Sequence, residues 1–293
     1  MSSTPVIGFI GYSGLVGKSV LNNLIEHHNS GKVKLIILHR EGSDVSLIPE
    51  NVEKRLIQLD SNGFEKNKKA VEGLEVLLST VGFQGLESQK YLIDALEGSK
   101  TLKTFIPSDF GTNWSEEELK ANGLKALKVK EDIVNYLKEK KLSFTNIRTG
   151  AFDGFVFAYQ AGGTDLKGNK QQIFRNSLNN KFRITSIPYL GFSLSQLLLK
   201  PDELINKTIQ LFDYSPTGQD FINILTKINN GKKTEIINYS EEQYKLDLEN
   251  DIGLAISAAL KAKWGDNNFG DSNVPKIQGW NSKSLEELAR QYV

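Results

Sequence analysis

The sequence contains no cysteine, three histidines and one methionine in 293 residues. Without cysteine there can be no disulfide, no thiolate metal site and no cysteine nucleophile, and such a composition fits a reducing compartment. The histidines, His27, His28 and His39, do not have the spacing of a metal site. Chemistry must therefore come from other groups, and no metal is expected.

The sequence also lacks an excess of charge of either sign. Its 36 Lys and Arg residues nearly balance 35 Asp and Glu residues, so no global field would attract nucleic acid or an anionic membrane. No signal-like segment precedes the first apolar run, and no apolar run reaches membrane-spanning length. We therefore expect a cytoplasmic protein with a small-molecule partner and no direct nucleic-acid or membrane partner. A homodimer or a regulatory protein partner stays open.

What the first half does contain is an alternation of short β-branched runs with helical patterns, which is typical of βαβ units around a buried parallel sheet. The predicted strands are Val6–Gly11, Val33–His39, Lys54–Leu59, Glu75–Thr80, Lys103–Pro107 and Ser143–Arg148. The predicted helices are Leu15–His27, Glu87–Glu97 and Glu116–Lys140, the last capped by Ser115 and broken or bent at Gly123.

The pattern becomes irregular and rich in turns after about Phe152. We expect an α/β fold with a doubly wound parallel sheet in residues 1–152 and a smaller substrate-binding lobe in residues 153–293. Arg183–Ile187 and Thr208–Phe212 are predicted strands that return to the main sheet, and Ser284 is predicted to cap a terminal helix.

A glycine-rich turn joins the first predicted strand to the first helix. It consists of Gly11, Tyr12, Ser13, Gly14, Leu15, Val16 and Gly17. In such a turn the first glycine permits a tight bend, the second lets a pyrophosphate approach the backbone, and the third lets the helix pack closely on the strand. The turn therefore predicts an NAD(P)-binding Rossmann fold, and the alternative is an ordinary strand-to-helix turn.

The ends of the following strands predict further cofactor contacts. Arg40 follows the second predicted strand, at the position where an acidic residue would favour NADH. Because its guanidinium can pair with a 2′-phosphate, Arg40 predicts NADPH as the cofactor. The alternative is a solvated surface arginine. Asp60 follows the third strand and is a candidate acceptor for the adenine amine. The fourth strand ends in Thr80, Val81, Gly82 and Phe83, which we expect beside the middle of the cofactor.

These motifs together resemble the NmrA-like, isoflavone reductase-like branch of the atypical short-chain dehydrogenases. The resemblance rests on the glycine turn, on Ser79-Thr-Val-Gly, on Phe105-Ile-Pro-Ser-Asp-Phe-Gly and on the pair Val129-Lys130. It implies a Rossmann domain that prefers NADPH, with Pro107, Ser108 and Phe110 as cofactor contacts. The sequence departs from the family pattern in two places: Asp109 replaces a glutamate, and Gly150-Ala151 replaces an Asn-Cys pair.

Lys130 is the residue that we expect to carry catalysis. It interrupts an apolar helical stripe, where a cation is costly unless it has a role or extends to solvent. The resemblance implies that Lys130 has a functional role, beside the cofactor, as proton donor or oxyanion stabiliser. The only tyrosine and lysine at the spacing of ordinary short-chain dehydrogenases, Tyr136 and Lys140, lie in a charged helix end and are not expected to act.

Phe152, Phe155 and Tyr159 are candidates for an aromatic substrate pocket, although core packing would explain each of them as well. The sequence therefore predicts an NADPH-dependent reductase of a small conjugated or aromatic substrate. One alternative is a non-catalytic NADP(H)-sensing regulator of the NmrA type that acts through a protein partner. Another is a Rossmann scaffold without either role.

Overall fold

Buried apolar side chains on both faces of the first strands require a layer of helices on each side of the sheet. The computed structural model describes residues 4–270 and 273–293. The strands are β1 Val6–Ile10, β2 Lys34–Arg40, β3 Glu53–Ile57, β4 Val76–Ser79, β5 Thr104–Ile106, β6 Asn146–Thr149, β7 Ala151–Phe152, β8 Thr164–Asp165, β9 Lys170–Ile173, β10 Ile184–Thr185, β11 Thr208–Leu211 and β12 Glu235–Asn238. The helices are α1 Leu15–Asn29, α2 Phe64–Ala70, α3 Lys90–Leu96, α4 Lys128–Glu139, α5 Asp153–Phe157, α6 Ile187–Leu197, α7 Gly218–Ile228, α8 Glu241–Leu248, α9 Ile252–Gly265 and α10 Leu285–Ala289.

The main sheet has the order β3-β2-β1-β4-β5, and every pairing in it is parallel. Leu35 and Ile37 of β2 face a core shared with α1 and α6, whereas Ile36 and Leu38 face a core shared with α2, α3 and α4. The predicted α/β fold with a doubly wound parallel sheet is confirmed, and the predicted strands of the first half each overlap an observed strand.

Strands beyond β5 continue the sheet. Phe105 of β5 forms a parallel bridge with Phe144, and β11 pairs in parallel with β6. The predicted strand Arg183–Ile187 is shorter than expected and pairs as β10 with β7. The division of the chain at residue 152 stays a prediction, because α6 of the second half packs on α1 of the first.

The long helix predicted over Glu116–Lys140 is wrong in its first half. The α-helix begins only at Lys128, and the preceding residues form short 3-10 turns at Glu118–Lys120 and Lys125–Leu127. Gly123 packs so closely on α9 that an added Cβ would lie 2.4 Å from the Cβ of Ala255. Apolar residues that resemble a helical stripe thus pack against a distant element. The Ser115 hydroxyl does accept from Glu118 N, but it caps a 3-10 turn.

The second half is more helical than its turn-rich sequence indicates. It contains four helices that the sequence pattern does not predict, namely α6, α7, α8 and α9. Helix α7 packs on a small sheet of order β12-β9-β8, and α8 packs on α9. The predicted terminal helix is confirmed as α10, with Ser284 in a capping box with Glu287. Within the described residues no helix is both long and apolar enough to cross a membrane.

Candidate functional site

Two glycines of the turn between β1 and α1 are required by the packing of the chain itself. Gly11 has φ +86°, and a Cβ on it would lie 2.5 Å from the carbonyl carbon of Thr80. A Cβ on Gly17 would lie 2.1 Å from the carbonyl oxygen of Gly11. The tight bend and the close helix–strand contact therefore both need glycine.

Gly14 differs from these two glycines. Its backbone is extended (φ −75°, ψ 176°), and the protein atom nearest to an added Cβ is the Gly11 carbonyl oxygen at 3.6 Å. The fold would thus accept a side chain at Gly14, which is the N-cap of the 15-residue helix α1 and has no acidic residue in the turn that follows. Open space at a helix N-terminus suits the close approach of a pyrophosphate.

The side chains of the turn point in different directions. Tyr12 is buried, its hydroxyl donates to the Asp44 carbonyl oxygen at 2.8 Å, and burial raises the pKa of its phenol. Val16 packs against the core, whereas Ser13 and Leu15 are exposed. The turn can therefore meet a ligand mainly through its backbone.

Arg40 and Asp60 lie at neighbouring strand ends but differ in what already binds them. Arg40 is exposed at the end of β2, and its guanidinium has no ion-pair partner among residues 4–270 and 273–293. The Asp60 carboxylate accepts from Asn62 N at 2.8 Å and from the Gln58 side chain at 3.0 Å, so it stabilises its own turn. Arg40 is free to bind a phosphate, whereas Asp60 has a local structural role.

The loop after β4 connects the glycine turn to the loop after β5. The Thr80 hydroxyl donates to the Gly11 carbonyl oxygen at 3.0 Å. The Ser108 hydroxyl donates to the Val81 carbonyl oxygen at 2.7 Å, and Ser108 N donates to the Gln89 side chain at 2.9 Å. Gly82 and Phe83 lie exposed at the same edge of the sheet. These bonds hold three strand ends in register.

The segment after β5 is strained where it approaches Lys130. Phe110 is buried and adopts φ +43°, a region that residues with a Cβ rarely occupy. The Thr149 hydroxyl donates to the Phe110 carbonyl oxygen at 2.7 Å and holds this conformation. The buried Pro107 precedes the bend. As a result the Asp109 carbonyl oxygen faces α4.

Lys130 meets this carbonyl. Its side chain is 17% exposed, and Nζ donates to the Asp109 carbonyl oxygen at 2.5 Å and lies 3.6 Å from Asp109 Oδ1. Burial lowers the pKa of Lys130, and the positive charge of Arg148 lowers it further, while Asp109 opposes both. Lys130 is therefore a half-buried cation that can release its proton more easily than a surface lysine.

Arg148 and Asn146 are parts of this cluster that the sequence did not reveal. Arg148 Nη1 lies 3.0 Å from Asp109 Oδ2, and the Asn146 amide, in the orientation that satisfies its neighbours, donates to the same oxygen at 3.0 Å. The available signal was a polar pair on a strand that is otherwise buried. Lys130, Asp109, Arg148 and Trp114 together line a recess of about 270 Å³.

The three predicted substrate-pocket residues are not brought together. Phe152 packs against the core that contains Tyr12 and Phe110. Phe155 and Tyr159, whose rings are 6.1 Å apart, line a separate cavity of about 770 Å³ in the second half of the chain. A common aromatic pocket made by all three side chains is therefore not present.

Tyr136 and Lys140 lie away from the strand ends, on the surface of α4. The Tyr136 hydroxyl bonds to Asp94, which raises the pKa of the phenol, and Lys140 forms ion pairs with Asp94 and Glu97. A phenol whose pKa is raised is a poorer acid at neutral pH. Over residues 4–270 and 273–293, no group of three or more His, Asp or Glu side chains is arranged to hold a metal ion.

The chain is similar in sequence and in fold to known reductases. The model of the NmrA-like family matches residues 3–292. The phenylcoumaran benzylic ether reductase Pyrc5 of Pyrus communis is 25% identical over 92% of this chain and 90% of its own length. Eugenol synthase 1 of Petunia hybrida is 24% identical over 92% of this chain and 90% of its own length. A solved complex of leucoanthocyanidin reductase with NADPH from Vitis vinifera superposes with a TM-score of 0.71 and 17% identity, covering 98% of this chain and 99% of that one.

Proposed function

The chain belongs to the NmrA-like family, and from this premise we propose that it is an NADPH-dependent reductase of a small conjugated or aromatic substrate. The curated relatives include a reductase of a benzylic ether, and a protein of the same fold was solved with NADPH. These similarities support the class of reaction, while the residues of this chain support the way in which it would be carried out.

The observation that carries the proposal is a hydrogen-bonded edge that runs from the glycine turn to Lys130. Thr80 bonds to Gly11, and Ser108 bonds to Val81. Ser108 is followed by Asp109, whose carbonyl holds the Lys130 ammonium. A cofactor that lies along the carboxyl edge of the parallel sheet would therefore extend from Gly14 toward this cation.

NADPH would fit this edge through the open space at Gly14 and through the exposed guanidinium of Arg40. When bound, it would supply the hydride. Gly82, Phe83, Pro107, Ser108 and Phe110 stay proposed contacts along the same edge. Asp60 is the weakest member of the proposed set, because its carboxylate already accepts two hydrogen bonds from its own turn.

Lys130 would act on the charge that develops on the substrate. Its lowered pKa favours proton donation to a nascent oxyanion, and its ammonium stabilises that oxyanion before the proton moves. Asp109 and Arg148 position Lys130, and Thr149 holds the strained backbone of Phe110 that presents the Asp109 carbonyl. These residues would act through Lys130.

The test compares Lys130→Ala with the wild type in an NADPH oxidation assay against conjugated enones, quinones and phenylpropanoid-like aromatics. Turnover should fall by roughly two to four orders of magnitude while NADPH affinity stays nearly unchanged. Lys128→Ala is the matched control, because Lys128 lies two residues away on the exposed side of α4 in an ion pair with Asp132. Its turnover should match the wild type.

Two results would contradict parts of the proposal. Unchanged turnover in Lys130→Ala would remove Lys130 from catalysis. Tight NADPH binding by a wild-type protein that reduces nothing across the panel would instead favour a cofactor-sensing regulator that acts through a protein partner.

A further inference from the structure

A cavity in the second half of the chain is not used by the reductase proposal. It has a volume of about 770 Å³, is partly open to solvent, and is lined by residues of β9, β12, α8 and α9. Phe155, Tyr159 and Tyr239 contribute aromatic surface, and Lys261 is the one lysine that lines it among residues 4–270 and 273–293. A partly open cavity of this size with aromatic walls suits a small planar ligand.

Lys261 is unusual in its burial and in its lack of a counter-ion. Its residue surface is 5% exposed, and it projects from α9, an otherwise largely apolar helix. Nζ donates to the neutral Gln172 side chain at 2.8 Å and lies 3.8 Å from the centre of the Tyr239 ring. Within the part of the chain that the structure describes, no carboxylate lies within 4.0 Å of this ammonium.

The cavity is lined by two carboxylates, Asp247 and Asp251, and both are engaged elsewhere. Asp251 caps α9 by accepting from two backbone N–H groups of its first turn. Asp247 Oδ2 accepts from the Tyr239 hydroxyl at 2.6 Å, and Oδ1 accepts from the Gln243 side chain at 2.7 Å. Asp247 therefore stabilises the wall of the cavity without pairing directly with Lys261. An ammonium can donate three hydrogen bonds, so Lys261 has donors left for a ligand.

Lys263, a buried lysine of the same helix with a structural role, has a counter-ion within the chain. It is 4% exposed, packs on the opposite face of α9, and pairs with Glu118 at 2.8 Å. A buried charge is costly unless it is paired, and only Lys263 has that pairing supplied by the chain. The missing anion at Lys261 is therefore expected from outside the chain.

We propose that this cavity binds an aromatic carboxylate, with the carboxylate on Lys261 and the ring against Tyr239, Phe155 and Tyr159. A single ammonium matches a monoanion, and the aromatic walls match a planar ring. Burial lowers the pKa of Lys261 to about 8, so the ammonium is still charged at neutral pH, and a bound anion would hold its proton more firmly. This site goes beyond the reductase activity and does not depend on it.

The experiment is calorimetry of the full chain with trans-cinnamate and its neutral counterpart cinnamamide at pH 6.5, without NADPH. The wild type should bind cinnamate about 10 to 100 times more tightly than cinnamamide, as expected for a desolvated charge-assisted pair. Lys261→Met should lose that difference and keep its affinity for cinnamamide. Lys263→Met, the matched control on the other face of α9, should bind both compounds like the wild type.

A measurement on the wild type alone protects the test against a variant that fails to fold. Between pH 6.5 and pH 9.5 the affinity for cinnamate should fall about tenfold, because Lys261 loses its proton over this range. Of the other groups that face Lys261, Gln172 does not titrate, and burial together with the bond to Asp247 raises the pKa of Tyr239 further above this range. Equal affinity for the two compounds, or no binding of cinnamate at millimolar concentration, would overturn the proposal.

Discussion

At the scale of single residues, Asp109 decides how Lys130 is held. Its Oδ2 pairs with Arg148, whereas its Oδ1 is buried, lies 3.6 Å from Lys130 Nζ and has no hydrogen-bond partner among the described residues. The lysine is therefore positioned mainly through the main-chain carbonyl. A carbonyl dipole fixes the ammonium while neutralising less of its charge than a close carboxylate would, so more charge is left for a substrate oxyanion.

Arg40 is the residue that should set the choice of cofactor. Its guanidinium is exposed and unpaired among the described residues, so it can form charge-assisted bonds to a 2′-phosphate. We expect the wild type to bind NADPH more tightly than NADH, and Arg40→Ala to lose most of that preference. Calorimetry with both cofactors measures it, and Arg55→Ala is a control, since Arg55 bonds to Glu53 and to backbone carbonyls. Equal affinities in the wild type would remove the basis for the assignment.

Lys261 should carry a cost in stability that reveals its role. Burial lowers the pKa of Lys261 from 10.5 in the unfolded chain to about 8 in the folded protein, so the charged form disfavours folding below pH 8 and this penalty disappears as the pH rises toward 10.5. Urea unfolding should therefore show that Lys261→Met has a free energy of unfolding roughly 1 to 3 kcal/mol higher than the wild type at pH 7. The difference should be smaller at pH 10. A variant that is clearly less stable at pH 7 would show that Lys261 serves the fold.

Single residues could be predicted from the sequence where a local motif contained them. Gly11 and Gly17 lie in positions that their spacing indicated, and Lys130 lies next to the segment that follows β5. Arg148 and Lys261 could not be found in this way, because their significance comes from a missing or distant partner. The burial of Lys261 without a counter-ion becomes visible only when α9 is packed against β9 in the structure.

At the scale of elements, the turn into α1 allows a separation of binding from folding. Gly14→Val should abolish NADPH binding with little loss of stability, because the fold leaves room for a Cβ where a pyrophosphate would approach. Gly17→Ala should instead destabilise the protein, since its Cβ would lie 2.1 Å from the Gly11 carbonyl oxygen. Calorimetry and thermal melting measure the two effects. Wild-type NADPH affinity in Gly14→Val would show that the turn is not the phosphate site.

The segment 116–127 shows where element prediction reaches its limit. Leu119, Leu124 and Leu127 have a spacing that suits a helical stripe, yet they pack with Trp114 against Ala255 and Ala259 of α9. Local periodicity indicates that these side chains are buried but not which element buries them. By contrast, the first five predicted strands pair side by side in one parallel sheet, so the local pattern and the fold agree there.

At the scale of the whole molecule, the two halves of the chain share a core. Helix α6 packs on α1, β11 pairs with β6, and Leu190 and Leu211 of the second half lie in the main core. A division at residue 152 would therefore separate the two proposed sites more clearly than two folding units. The first half presents the proposed cofactor edge, and the second half contains the cavity around Lys261.

This shared core predicts how the whole protein should respond to NADPH. A ligand that binds only the folded state stabilises it by about 2.7 kcal/mol at a free concentration of 100 times Kd. For a chain of this size such a gain raises Tm by roughly 5 to 10 °C. Because the halves pack together, calorimetric scans should show a single unfolding transition. NADPH should raise the Tm of this transition in the wild type but not in Gly14→Val. Two transitions, of which NADPH moves only one, would show instead that residues 1–152 and 153–293 unfold independently, since only the half that holds the cofactor would then gain its binding energy.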